Sequence, residues 1–426
     1  MVILMSESET IQQDIRSMAE RAKEAAITLA LLDPEKKNKA LVRVAETIRV
    51  RKVDIIEANK LDVEQAKKEG QTKALIDRLT LNSDRVDNIA DGLKEIATLS
   101  DPVGEILREW TRPNGLRIRQ VRVPLGVIGM IYESRPNVTP ESAALCLKSG
   151  NAVILRGGSD AYYSNRILVD LISHCLKESQ IPEGAVQFLP PRDRRGITVL
   201  TQLNGLVDLI IARGSETMIQ EVTADATVPV LGHGKGVCHV YLDKSADIEM
   251  AVNIAFNSKV QRPGVCNAME TLLVHEYLLY DVMPRLAEKF LKAGVEIRGD
   301  EKVAGLIPQA KSASPNDWST EYLDKIVSIK VVNSLDEAIE HIRDYGSSHT
   351  DSIVTQDSKA ADVFKKAVDS SCVMVNASTR LHDGGVFGFG SEIGISTNKL
   401  HARGTMGLKE LTTTKFVVEG SGQIRE

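Results

Sequence analysis

From about residue 124 the chain repeats one pattern: a short apolar run, a turn, a stretch with apolar residues at helical spacing, then another short apolar run. The first set has runs at 126–132, 153–155, 186–188 and 207–211, with a helical stretch near 165–176. A second set follows Gly232-His233-Gly234-Lys235-Gly236. Its runs lie at 237–242, 271–274, 326–332, 352–355 and 373–375, with helical stretches from about 247, at 281–292, at 335–345 and from 360. Unbroken apolar runs suit strands covered on both faces, and strands that alternate with helices pair in parallel, because each crossover helix returns the chain to the same end of the sheet. The pattern therefore predicts an α/β protein with two doubly wound domains and a cleft between them.

Residues 11–99 read differently. They are highly charged, with Leu41, Val44, Ala45 and Ile48 on one helical face and Val86, Ile89, Ala90, Leu93 and Ile96 on another. Asn82 or Ser83 suits the cap of the second helix, and Asp101-Pro102 with Gly104 stops it, which places a junction near 102. At 117–122 basic residues alternate with Ile118 and Val121, as in a strand or hairpin arm. At 411–419 Thr and Lys alternate with Leu, Phe and Val, as in an edge or partner-crossing strand.

Composition excludes several classes. With 42% hydrophobic and 26% charged residues the chain is an ordinary packed globular protein. A net charge of -5 and an aromatic share of 4% supply neither the basic footprint nor the stacking platforms of nucleic-acid binders. No apolar run approaches the ~18 residues that span a bilayer. The apolar start at Met1 to Met5 lacks a basic region and runs straight into Ser6-Glu7-Ser8-Glu9, unlike a signal peptide. The cysteines, Cys146, Cys175, Cys238, Cys266 and Cys372, are odd in number, scattered and free of any C-x-x-C spacing. They predict a reducing, cytoplasmic setting, no disulfide framework and no metal.

One cysteine stands apart. Cys266 ends the polar, Gly- and Pro-containing segment 257–267 just before a strand, whereas Cys146, Cys175, Cys238 and Cys372 fall in helical or strand patterns where a thiol is a small hydrophobe. Around it the chain carries V-P-L-G-V-I-G-M-I-Y-E-S-R-P-N-V at 123–138, S-G-N-A-V-I-L-R-G-G at 149–158, L-I-I-A-R-G-S at 209–215, G-H-G-K-G-V-C-H at 232–239, Q-R-P-G-V-C-N-A-M-E-T at 261–271 and Y-G-S-S-H-T-D at 345–351. In these motifs and their order the chain resembles the aldehyde dehydrogenase superfamily, and within it the gamma-glutamyl phosphate reductase (glutamate-5-semialdehyde dehydrogenase) family, nearly end to end.

The resemblance implies an aldehyde dehydrogenase-like fold with a small β oligomerisation arm. Its cofactor-binding domain would take 1–109 and 124–245, its catalytic domain 246–405, and the arm 110–123 and 406–426. It implies NADPH-dependent reduction of L-glutamyl 5-phosphate to glutamate 5-semialdehyde and phosphate in proline biosynthesis, with Cys266 as the thiolate nucleophile and Asn137 as an oxyanion donor. Both roles fit the chemistry of acyl transfer, although from the residues alone Asn137 reads first as a turn residue after Pro136. Arg156 matches the position of a basic residue against the adenosine ribose and suits a 2'-phosphate. Gly214 and Ser215 lie where a helix N-terminus could meet a pyrophosphate, with a plain cap by Ser215 as the alternative. Glu321 matches a glutamate placed on the nicotinamide ribose.

Gly232 to Gly236 departs from aldehyde-oxidising relatives, which carry E-L-G-G-K there, the glutamate activating water. With no carboxylate in the segment, deacylation by phosphate is expected; the alternative is a hydrolytic NAD(P)-dependent aldehyde dehydrogenase, and a scaffold that has lost catalysis is a third reading. His233 is either structural or a ligand contact. An anionic substrate needs local cations, for which Arg135, Arg262, Arg380 and Arg403 are the candidates beside matched motifs. The resemblance also implies a homo-oligomer and, because it uses nearly all 426 residues, a separate glutamate 5-kinase as a partner.

Overall fold

The computed structural model describes residues 7–191 and 194–425; the features expected at Met1 to Ser6 lie outside this range. The charged N-terminal region forms helices Glu7–Leu29, Pro34–Val50, Lys52–Lys68, Lys73–Leu79 and Ser83–Thr98. Asn82 caps the last of them by accepting from Arg85 N–H at 2.8 Å, and the helix stops before Leu99, whose backbone is extended. Its buried stripe Val86, Ile89, Ala90, Leu93 and Ile96 packs in one core with Leu41, Val44, Ala45 and Ile48. Each fully buried Leu, Ile or Val there contributes about 1.5–3 kcal/mol.

That core continues into a five-stranded, wholly parallel sheet with the order Val186–Phe188, Ala152–Arg156, Val127–Tyr132, Leu209–Arg213, Val230–Leu231. Val127–Tyr132 is buried along its whole length, which is why its sequence shows no alternation. The chain leaves this strand in both directions across the sheet, and the switch lies between it and Leu209–Arg213.

The second sheet has seven parallel strands in the order Lys311–Ser312, Glu296–Gly299, Ile326–Val332, Met269–His275, Cys238–Leu242, Thr350–Val354, Cys372–Val375. Helices Ile248–Val260 and Leu279–Lys292 cover one face, while Leu335–Tyr345 and Ser358–Ala367 pack with a separate apolar cluster that includes Tyr241, Leu273 and Ile353.

Two expected boundaries move. Ile393, Ala402, Met406, Leu408 and Leu411 join the core of the first sheet, so the chain leaves the second unit well before 405. The arm begins at Ile106, because Ile106–Thr111 pairs antiparallel with Arg117–Pro124 although its sequence shows no alternation. Thr412–Glu419 completes this three-stranded arm, Thr412 opposite Pro124 and Glu419 opposite Arg117. Trp110 and Phe416 meet edge to face at 6.2 Å on it and remain exposed, as does Val418.

Candidate active site

The two sheets meet the site with opposite ends. Asn137, Arg156 and Arg213 stand at or just beyond the carboxyl ends of first-sheet strands, where open parallel sheets bind ligands. Cys266 and His349 stand just before the amino ends of Met269–His275 and Thr350–Val354 in the second sheet.

The loop that carries Cys266 is shorter than its sequence suggests. Residues 257–260 form the last turn of helix Ile248–Val260, and Lys259 is fully buried in an ion pair with Glu270 at 2.6 Å. Burial raises the Glu270 carboxyl to about 7, and Glu270 also accepts from Leu323 N–H at 3.2 Å, which ties the nucleophile segment to the loop bearing Glu321. Cys266 itself is partly exposed, whereas Cys146, Cys175 and Cys238 are buried. Gly236 lies so close to the Cys266 backbone that a Cβ there would stand 1.9 Å from its carbonyl oxygen. The same carbonyl accepts from the Cys238 thiol at 3.1 Å.

Cys266 Sγ and one ring nitrogen from each of His233 and His349 lie within 4.8 Å of one another. The His233 and His349 rings meet edge to face at 4.9 Å, and His233 Nδ1 is 2.9 Å from Ile395 O, which fixes the ring. Burial works against a charged Cys266 thiolate, yet His349 and Arg213 outweigh it and hold the thiol below its ordinary range. Burial pushes His233 and His349 below the ordinary imidazole range, and His382 down to about 4.

Arginines surround this centre. Arg135 and Arg380 act electrostatically on Cys266, and Arg135 faces Arg213, Arg78 and Arg262. Burial, reinforced by those like charges, lowers Arg135 to about 10. None of the five forms an ion pair with Asp or Glu among the described residues; Arg380 instead bonds the side chains of Gln261 and Asn267. Two imidazoles and a thiol are also the donor set of a zinc site, but this many guanidinium groups make the site one for anions. Arg403 is not among them: it forms a 2.7 Å ion pair with Asp369, which Lys399 shares, and no contact among the described residues links it to Cys266.

Asn137 starts helix Val138–Lys148 without capping it, and its Nδ2 donates to Glu141 Oε1 at 3.2 Å. It shares a loop with Arg135, and burial raises Glu141 while Arg213 and Arg135 pull it down. Arg156 donates to its neighbour Gly157 O, and burial and the nearby Arg194 charge lower it; no acid pairs with it among the described residues. Ser215 caps helix Glu216–Asp225, accepting from Met218 N–H at 3.4 Å. Its own N–H donates to Glu133 Oε2 at 2.8 Å, so the helix N-terminus already takes an anionic oxygen, and Gly214 gives room for it, since a Cβ would lie 2.6 Å from that atom.

Glu321 stands beside the segment that lacks a glutamate of its own. Although segment 232–236 has no carboxylate, the fold brings Glu321 to it: Gly236 N–H donates to Glu321 Oε1 at 2.9 Å, and the charge of Glu321 acts on Cys266. Burial raises this carboxyl. Sequence reasoning also passed over His349 and Arg213, although both lie inside quoted motifs.

A model of the aldehyde dehydrogenase family matches residues 3–325. Gamma-glutamyl phosphate reductases of Caldanaerobacter subterraneus and Thermobifida fusca are 52% and 53% identical over 413 and 415 residues, 97% of this chain in each case and 100% and 99% of theirs. The chain belongs to the gamma-glutamyl phosphate reductase branch of the aldehyde dehydrogenase family. The crystal structure of gamma-glutamyl phosphate reductase from Thermotoga maritima matches with a TM-score of 0.94 at 48% identity, covering 97% of this chain and 100% of that one. An acetylating aldehyde dehydrogenase from Geobacillus thermoglucosidasius, 18% identical and covering 99% and 100%, shares the fold with a TM-score of 0.71. The expected aldehyde dehydrogenase-like fold is thereby met.

Proposed function

We propose that this chain reduces L-glutamyl 5-phosphate to glutamate 5-semialdehyde and phosphate with NADPH, a step of proline biosynthesis. The observation that carries the reading is the set of arginines, free of Asp or Glu ion pairs among the described residues, around a partly exposed cysteine of lowered pKa. A substrate with a dianionic phosphate and a carboxylate needs such cations, since the net charge of -5 repels it from the rest of the surface.

Cys266 attacks the acyl carbon, the carbon–oxygen bond to phosphate breaks, and a thioester on Sγ results. Asn137 Nδ2 is the side-chain donor for the oxyanion. Arg135, Arg213, Arg262 and Arg380 receive the phosphate and carboxylate, and the Arg403 assignment is withdrawn because Asp369 occupies it. The donor chemistry also fits the dinucleotide: Arg156, with Arg194 nearby, suits a 2'-phosphate, and Gly214 and Ser215 offer an N-terminus that accepts anionic oxygen. NADPH supplies the hydride that takes the thioester to the aldehyde level. Glu321 is then the partner of the nicotinamide ribose, and His233 lines the cavity as a ring packed on His349.

The arm, with Trp110, Phe416 and Val418 exposed, is the surface for a homo-oligomer. A labile acyl phosphate favours contact with the glutamate 5-kinase that makes it. No helix among the described residues is long and apolar enough to cross a membrane, and scattered free thiols suit the cytoplasm. The first sheet with its helices forms the cofactor-binding domain and the second the catalytic domain.

Glu321 near Cys266 favours a second reading, a hydrolytic aldehyde dehydrogenase in which this carboxylate activates water. Reduction of NADP+ by glutamate 5-semialdehyde separates the two. It should require inorganic phosphate; sustained turnover to free glutamate without phosphate would replace the first reading with the second.

A further inference from the structure

We propose that His349 is the base that takes the proton of Cys266 and passes it to the departing phosphate. The inference rests on Cys266 being the nucleophile. Three observations place the imidazole in that role. A ring nitrogen of His349 lies within the 4.8 Å trio that includes Cys266 Sγ. Nδ1 of His349 is taken by the Thr350 hydroxyl at 2.7 Å, whose oxygen also lies 2.8 Å from His382 Nδ1. Nε2, in a residue with no solvent exposure, has no hydrogen-bond partner among the described residues, and a buried polar atom left bare in a reacting centre is free to accept a proton.

The hydroxyl allows two tautomers, and the role of base requires one of them. Thr350 has one proton to give, so when it donates to His382 Nδ1 it accepts from His349 Nδ1–H, which leaves the lone pair of His349 on Nε2. The backbone is built to hold this ring. Ser348, directly before it, has φ at +57°, a left-handed conformation costly for a serine, and Ser371 donates from its hydroxyl to His349 O at 2.6 Å.

The groups facing the pair are His233, His382 and Cys238 around His349, and Arg213, Arg135, Arg380 and Glu321 around Cys266. Buried among neutral rings, His349 is uncharged at neutral pH and able to accept, while Arg213 favours the thiolate that results. His233 belongs to the trio, but it acts on His349 and is not among the largest influences on the thiol.

The step balances. The S–H bond breaks, its proton goes to Nε2 and its electron pair stays on sulfur. The sulfur bonds the acyl carbon, the acyl–phosphate bond breaks with its pair on oxygen, and that oxygen takes the proton from Nε2. When the aldehyde later leaves, the carbon–sulfur pair returns to Cys266, and one proton from solvent restores the starting state.

The rate of Cys266 alkylation by iodoacetamide against pH tests this without substrate, with the signal of Cys266→Ala subtracted for other thiols. His349→Asn keeps an amide near Nδ1 to meet Thr350 and removes Nε2. Its midpoint should rise by about one unit or more, slowing alkylation at pH 7 about tenfold, with a fall in kcat. Thr350→Val, which frees the ring, should shift the midpoint the same way by less. If His349→Asn does not fold, Thr350→Val decides alone. An unmoved midpoint in a folded variant overturns the proposal, whatever happens to stability. Turnover that survives in Cys266→Ala would instead remove the nucleophile assignment on which it rests.

Discussion

The two parallel sheets share an architecture and bring residues to the same site, yet they supply different chemistry. The first presents carboxyl ends of strands, two of which end in Arg156 and Arg213, followed by loops that carry Arg135, Asn137 and the anion-accepting N-terminus at Ser215. The second presents amino ends, preceded by Cys266 and His349. Loops after parallel strands lead into helix N-termini, which suit phosphates and oxyanions. Loops before strands enter the sheet directly, so a nucleophile there is anchored by a strand in the middle of the sheet. One side therefore holds charge and the other makes the bond.

That division can be broken at each side. Asn137→Ala should lower kcat about 100- to 1000-fold, the usual loss for one oxyanion donor, while iodoacetamide still alkylates Cys266 at the native rate. Gly236→Ala attacks the seam, because the added Cβ meets the Cys266 carbonyl at 1.9 Å and must displace the nucleophile. Turnover should fall roughly 100-fold, as for a displacement of about 1 Å in a reacting group, with NADPH binding by fluorescence unchanged. Arg213→Gln removes a charge that serves both sides, and should cost roughly 10- to 100-fold in kcat/KM while also slowing alkylation of Cys266 at pH 7. Arg156→Ala should raise the KM for NADPH about tenfold and leave the KM for NADH unchanged. The smallest effect belongs to Arg403→Ala: steady-state kinetics should stay within about twofold, since its partner is the exposed Asp369.

The same contrast explains what the sequence made legible. Alternating apolar runs and helical stretches reveal both sheets, because burial on two faces forces unbroken apolar strands, and Ile326–Val332 and Leu335–Tyr345 fall where the pattern puts them. Cys266 is visible because a thiol in a polar loop is out of place. His349 and Arg213 are not, because a histidine entering a strand and an arginine ending one look like ordinary core and cap residues. The carboxyl end of a parallel strand was the available signal for Arg213. Lys259 misleads in the other direction, since a lysine in a polar stretch reads as solvated, whereas Glu270 draws it fully inside. Arg403 and Glu321 depend on contacts across long separations, to Asp369 and Gly236, that local pattern cannot express. The return of Ile393 to Leu411 to the first core is of the same kind.

The central claim is that Cys266 carries the acyl group and phosphate removes it. Intact-protein and peptide mass spectrometry after mixing the enzyme with NADP+ and glutamate 5-semialdehyde in phosphate-free buffer tests it directly. The account predicts a glutamyl adduct on Cys266 that persists without phosphate and disappears when phosphate is added. An unmodified Cys266, or an adduct that clears to glutamate at the same rate without phosphate, would contradict it.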